Sequence, residues 1–169
     1  MNLLFRLIGV LLRALCAPRQ DVMASSVLTF RVLPTDIDFN LHLTNARYFS
    51  FMDLGRMDLL VRSGVAGLLI RRRWQPVLGA STVRFRRPLA PFQPFRLVSR
   101  VLCWDERWLF IEHRLETLGG EMAASAVMQG AFLERGALLP PAQVLAALGD
   151  GRPSPPKPER VSAWQPQTL

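Results

Sequence analysis

Asp36-Ile37-Asp38-Phe39-Asn40-Leu41-His42-Leu43-Thr44-Asn45-Ala46-Arg47-Tyr48 is the stretch on which the reading of this chain turns. It holds two aspartates, two asparagines, one of the chain's two histidines and its single tyrosine. Pro34 stops the element before it, and an apolar helical pattern follows. Polar side chains this dense between two apolar elements mark a site, because function concentrates on loops held by a rigid scaffold.

Working outward, Ser25–Leu33 reads as a strand of β-formers, with Val27, Leu28, Thr29, Phe30 and Val32. Downstream, the pattern predicts a helix from Thr44 to Ser63, with Thr44 as N-cap and Gly64 as its stop. Tyr48, Phe49, Phe51, Met52, Leu54, Met57, Leu59, Leu60 and Val61 fall nearly all round this helix. A helix that is apolar on all sides is a buried helix. Gly55 lets its backbone pass close to a sheet, and Asp53 and Arg56, three apart, read as an ion pair. A short helix over Val65–Arg73 ends in three arginines. Strand patterns follow at Pro76–Arg86, Phe95–Cys103, Trp108–Leu118 and Glu121–Glu134, with a hairpin turn at Gly119-Gly120. His113, alone among strand residues, reads as structural. Pro140–Leu148 reads as a short terminal helix with proline at its start. Residues 150–169, rich in proline, read as a disordered tail.

The order Asp-x-Asp-x-Asn-x-His-x-Thr-Asn-x-x-Tyr, followed by Phe51-Met52-Asp53-Leu54-Gly55-Arg56, resembles the signature of the hot-dog-fold acyl thioesterases. Within them it is similar to the 4-hydroxybenzoyl-CoA thioesterase-like group, the plant acyl-carrier-protein thioesterases, and the bacterial relatives of the animal thioesterase superfamily member six. The resemblance covers roughly Ser25 to Gly149. It implies an α+β fold: a single hot-dog domain over residues 25–149, whose curved antiparallel sheet wraps a central buried helix. An amphipathic helix over residues 1–20 is added in front.

The resemblance also implies hydrolysis of acyl-CoA thioesters, with fatty acyl chains as candidates, to free acid and thiol. Asp38 aligns with the catalytic carboxylate, as base or nucleophile. Asn40 would position the water or the thioester carbonyl, and His42 would orient the attacking group or exchange a proton with it. Asn45 and Tyr48 are second choices, for loop geometry or carbonyl contact. The carbonyl oxygen would be activated at the N-terminus of the central helix, where backbone N–H groups are unpaired. Leu41 stands where many family members have glycine. Asp36 reads as a tie for the turn. Arg84, Arg86 and Arg87, or Arg71–Arg73, are candidates to grip the phosphates of coenzyme A; the alternative is a solvated basic face. The family's habit of placing sites between subunits implies a homodimer or homotetramer. The competing reading is a non-catalytic acyl-thioester or lipid-binding protein at a membrane surface.

Bulk properties narrow the remaining choices. At 169 residues, half of them apolar, the chain is one domain with a full core. Cys16 and Cys103 form neither a disulfide framework nor a metal set, so a reducing, cytoplasmic setting is expected, with no metal and no cofactor. The net charge of +8 favours polyanionic partners such as coenzyme A phosphates, an acidic carrier protein or an anionic membrane. Nucleic acid is not expected, because no recognition module is present. Residues 1–17 carry Leu3, Leu4, Leu7, Ile8, Leu11, Leu12 and Leu15 at helical spacing, with Arg6 and Arg13 interrupting them. That run is too short for a membrane span, which takes about 20 apolar residues, and it lacks the pattern of a secretory signal. It either docks on its own domain or a sister subunit, or lies peripherally on the inner face of a membrane.

Overall fold

The computed structural model describes residues 2–163. Helix α1 (Asn2–Cys16) is followed by strand β1 (Ser26–Arg31), a short 3-10 turn (Pro34–Asp36) and the long helix α2 (Asn45–Arg62). Then come α3 (Val65–Arg72), β2 (Trp74–Phe85), β3 (Pro94–Trp104), β4 (Leu109–Thr117), β5 (Met122–Glu134), β6 (Ala137–Leu139), α4 (Pro141–Ala147) and α5 (Glu159–Ser162). The strands form one antiparallel sheet in the order β1-β3-β4-β5-β2, with β6 added to the end of β5. The sheet curls round α2, so the expected α+β architecture is present. The three-residue β6 was too short to read from the sequence.

Helix α2 buries Tyr48, Phe51, Met52, Leu54 and Leu59. Phe51 meets Phe30 and Phe95 with ring centroids 5.0 and 4.9 Å away, in tilted and edge-on geometry. Such pairs add roughly 0.5–1.5 kcal/mol each beyond their buried area. Gly55 does what was expected of it: a Cβ there would collide with Ser99 Oγ and come within 3.0 Å of Leu97 on the sheet. Asp53 and Arg56 form the expected ion pair. Thr44 occupies the N-cap position, but its side chain caps nothing.

A polar seam runs beneath α2. Ser26 Oγ donates to Asp58 Oδ2 at 2.6 Å, with Arg62 Nη1 3.8 Å from the same oxygen. Ser99 Oγ and His113 Nδ1 share a hydrogen bond of 2.8 Å, both groups fully buried. Burial, aided by the Arg56 charge, pushes His113 down to about 3, so it is a neutral core residue, as its isolation among strand residues implied.

Helix α1 docks on its own domain. Leu3, Leu7 and Val10 join the core beneath α2. Its opposite face leaves Leu4, Phe5, Ile8, Leu12 and Leu15 exposed. No helix among the described residues is long and apolar enough to cross a membrane.

The disordered tail is a correction. Residues 150–163 form an extended arm laid over the convex face of the sheet. Ser154 Oγ accepts from the Trp104 amide at 2.8 Å, Lys157 pairs with Asp105 at 2.7 Å, and Arg160 pairs with Glu112 at 2.7 Å. Val161 is buried with Leu102, Cys103 and Phe110. Proline density marks an extended backbone without telling whether it is docked; here the buried Val161 and several polar contacts, the Arg152–Asp21 pair among them, dock it. Residues 164–169 of the expected tail lie outside the described residues.

Candidate active site

The Asp36–Tyr48 stretch folds as a tight loop closed at its base by a bridge between Ile37 and Leu43. The Leu41 amide donates to the Asp38 carbonyl at 3.0 Å, and the Asp38 amide donates to the His42 carbonyl at 3.2 Å. Leu41 takes φ 59, the left-handed conformation in which glycine is the unstrained choice. A conformation that favours glycine is therefore taken here by a leucine.

Asp36 anchors the loop. Its carboxylate is buried, accepts from the Leu33 amide at 2.9 Å and from Arg6 of α1 at 2.7 Å, and has Arg47 of α2 at 3.6 Å. Its carbonyl accepts from the Thr44 amide at 3.0 Å. One carboxylate thus ties α1, the loop and the first turn of α2 together, a larger task than the turn tie its sequence position suggested. The other side of the loop is fixed by the Leu43 amide donating to the Leu89 carbonyl at 2.9 Å.

Asp38 and His42 are brought together and face solvent. Oδ1 of Asp38 accepts from the Asn40 amide at 2.9 Å and lies 3.9 Å from His42 Nδ1. Among the described residues Asp38 Oδ2 has no hydrogen-bond donor. Asn40 sits at the exposed tip between Phe39, 92 % exposed, and Leu41, 67 % exposed. Asn45 is exposed in the first turn of α2. That turn presents the unpaired amides and positive dipole end of an 18-residue helix beside the loop. A carboxylate with a free oxygen, an imidazole within reach and a helix N-terminus suit water activation and stabilisation of an oxyanion.

Two groups of expected substrate contacts are placed elsewhere. Tyr48 is buried, its ring edge-on to Phe85 at 5.1 Å and its hydroxyl beside the Leu89 backbone; burial pushes it up to about 12. It supports the loop from behind instead of facing a ligand. Arg84 and Arg86 alternate with inward-facing Phe85, so they point to the convex face, away from α2. Arg87 is exposed and pairs with Glu121 at 2.9 Å. Arg71, Arg72 and Arg73 are exposed at the end of α3, with Arg72 over the Trp74 ring at 5.9 Å.

An apolar cavity of about 180 Å³ opens between the second half of α2 and the sheet. Met57, Leu60, Val77, Leu78, Ile111 and Phe132 are among its walls. No motif announces it; it arises where helix and sheet diverge toward the unpaired edge of β2.

A family model described as a thioesterase-like superfamily matches residues 32–165, most of the chain. The chain belongs to this superfamily. Protein THEM6 of Danio rerio is 38% identical over 98 residues, covering 58% of this chain and 48% of that protein. The chain spans about half the length of the first curated relatives it matches. Among solved structures, the probable thioesterase YbaW from Escherichia coli superposes with a TM-score of 0.68 at 18% identity, covering 74% of this chain and 96% of that one. A 1,4-dihydroxy-2-naphthoyl-CoA thioesterase from Synechocystis superposes at 0.64 with 9% identity, covering 74% and 95%. At such identities the superpositions establish the fold, and the superfamily's sheet-round-helix arrangement is the one seen here.

Proposed function

We propose that this superfamily member hydrolyses acyl-CoA thioesters to free carboxylic acid and thiol, with Asp38 as base or nucleophile. The observation that carries the reading is the Asp38 carboxylate, with one oxygen free, on a loop that ends at the open first turn of α2. In the general-base route Asp38 takes a proton from water, and the oxygen attacks the carbonyl carbon. The carbonyl electron pair moves to oxygen at the helix N-terminus and returns as the C–S bond breaks. The proton then passes to the departing thiolate. In the nucleophile route the carboxylate attacks first, the C–S bond breaks to release thiolate and leave an anhydride, and water hydrolyses the anhydride, regenerating the Asp38 carboxylate and yielding its proton to the thiolate. His42 orients the attacking group in either case, and Asn40 holds water or carbonyl at the loop tip.

The apolar cavity is the acyl site of this reading. It lies along residues 56–63, about 17 Å down the helix from Asn45 at 1.5 Å per residue. In one copy the cavity and the loop thus lie toward opposite ends of α2. β2 has a partner on one side only. An antiparallel copy across that open edge would bring its Trp74–Leu78 end, at the cavity rim, to the Phe85 end beside this loop. This supports a homodimer as the working unit. The exposed apolar face of α1 favours the second reading, a lipid- or acyl-thioester-binding protein resting on a membrane.

The test is thiol release from a panel of short, long and aromatic acyl-CoAs by wild type and Asp38→Ala. Turnover that peaks at one chain class and falls by about 10²–10⁴ in the variant is expected. Absence of turnover across the panel, with acyl-CoA still bound, would replace hydrolysis by binding.

A further inference from the structure

The C-terminal arm and the convex face of the sheet enclose an open groove of about 490 Å³. Four arginines line it, Arg84, Arg86, Arg114 and Arg160, against one carboxylate, Glu112. Strand register sets the first row. Arg84 on β2 pairs with Ser125 on β5, which pairs with Arg114 on β4. Neighbouring strands are about 4.8 Å apart, so the two arginines stand roughly 10 Å apart with a serine hydroxyl midway. A phosphate seated over Ser125 can be reached from both sides by guanidinium forks, which suit phosphate oxygens.

The charges in this groove are unequally committed. Glu112 is buried and already held by Arg100 and Arg160, each at 2.7 Å. Arg114 is shared with Glu116 at 2.9 Å. The Arg84 and Arg86 guanidinium groups have no hydrogen bond or ion pair among the described residues, and neither has the Ser125 hydroxyl. The groove therefore carries excess positive charge in a recess sized for a small molecule. It also adjoins the loop. Arg86 lines the groove, the preceding Phe85 packs on Tyr48 of α2, and the Leu89 carbonyl holds Leu43. Only the end of β2 separates groove from loop.

We infer that this groove binds the nucleotide phosphates of the coenzyme A thiol carrier, with Arg84, Ser125 and Arg114 as the central row and Arg160 of the arm as its wall. The flexible thiol-bearing arm of the carrier passes round the end of β2 to present the thioester at Asp38. This deepens the thioesterase reading and rests on it for the identity of the ligand. It gives the C-terminal arm a function: it holds Arg160 over the anion.

The test compares full-length wild type, Arg84→Glu, Ser125→Glu and a charge-matched control, Arg107→Glu. Arg107 is exposed, stacked on Trp108 and outside the groove. Titration calorimetry with coenzyme A reads the site whether or not the protein turns over thioesters. Weakening of coenzyme A binding by tenfold or more in both groove variants, with the control near wild type, is expected. So is a tenfold fall in the preference for acyl-CoA over the nucleotide-free acyl-pantetheine. Equal loss in Arg107→Glu would reduce the effect to overall charge and overturn the assignment. Unchanged coenzyme A affinity in Arg84→Glu and Ser125→Glu, with melting temperatures intact, would overturn it too. Turnover of acyl-CoA alongside such a result would leave the thioesterase reading standing alone.

Discussion

Acidification from pH 7 to pH 5 is expected to destabilise this protein through one side chain, His113. Its imidazole is fully buried beneath α2, with Nδ1 bonded to Ser99 and Nε2 without a hydrogen-bond partner. Burial and the Arg56 charge on the facing helix push its pKa down to about 3. In the unfolded chain it titrates near 6.5. Between those values the unfolded state binds a proton that the native state refuses, so stability falls as pH falls below about 6.5. The slope approaches about 1.4 kcal/mol per pH unit, and from pH 7 to pH 5 the loss comes to about 2 kcal/mol. Against a usual total of about 5–15 kcal/mol, that is large. Urea unfolding at pH 5, 6 and 7, with wild type beside His113→Leu, isolates the effect. The carboxylates common to both proteins cancel in the difference. Wild-type stability is expected to drop by about 2 kcal/mol more than that of the variant across the interval. Parallel pH dependences would show that the histidine is protonated in the native protein or reached by water, and the buried-neutral account would fail.

Three other outcomes are expected. Gly55→Ala sets a methyl group against Ser99 Oγ and within 3.0 Å of Leu97, so thermal melts should show a loss of about 1–3 kcal/mol despite alanine's better helix propensity. Leu41→Gly removes a side chain that is 67% exposed while relieving a left-handed residue. Its melting temperature should equal or exceed that of wild type, whereas a clear drop would mean the leucine packs on something. Cys16 is exposed and Cys103 is buried beside Val161 of the arm. An aromatic disulfide reagent should therefore titrate one thiol rapidly in the native chain, and two once the arm is removed after Gly149.

What was legible in the sequence were the features whose cause is local. Apolar residues nearly all round Thr44–Ser63 required a buried helix, and Gly55 marked where that helix touches the sheet. The alternation of Arg84, Phe85 and Arg86 carries the same kind of information: it puts the two arginines on one face, opposite the phenylalanine. Which face that is needs the sheet's curl, and the curl sets the pair behind the sheet, on the side away from α2. The row linking Arg84 through Ser125 to Arg114 depends on strand register, which no single strand encodes. The docked arm escaped notice because its proline-rich composition is shared by free tails. Its anchors, Ser154, Lys157, Arg160 and Val161, are ordinary until the partners at Trp104, Asp105, Glu112 and Cys103 are in place.

Asp36 and Asp38 make the same point at the site itself. They are two residues apart and chemically identical. Asp36 is sealed from solvent between two guanidinium groups and a backbone amide, so its charge is spent on holding α1, the loop and α2. Asp38 has one backbone donor, an imidazole at 3.9 Å and an oxygen left over. A carboxylate already matched by two arginines has its lone pairs committed to them. One with a single neutral donor and access to water has lone pairs left for a water or a ligand. The division of labour between scaffold and chemistry thus follows from the surroundings of each aspartate. It also shows what Arg6 contributes: with Arg47 it matches the charge of the buried carboxylate that anchors the loop carrying Asp38.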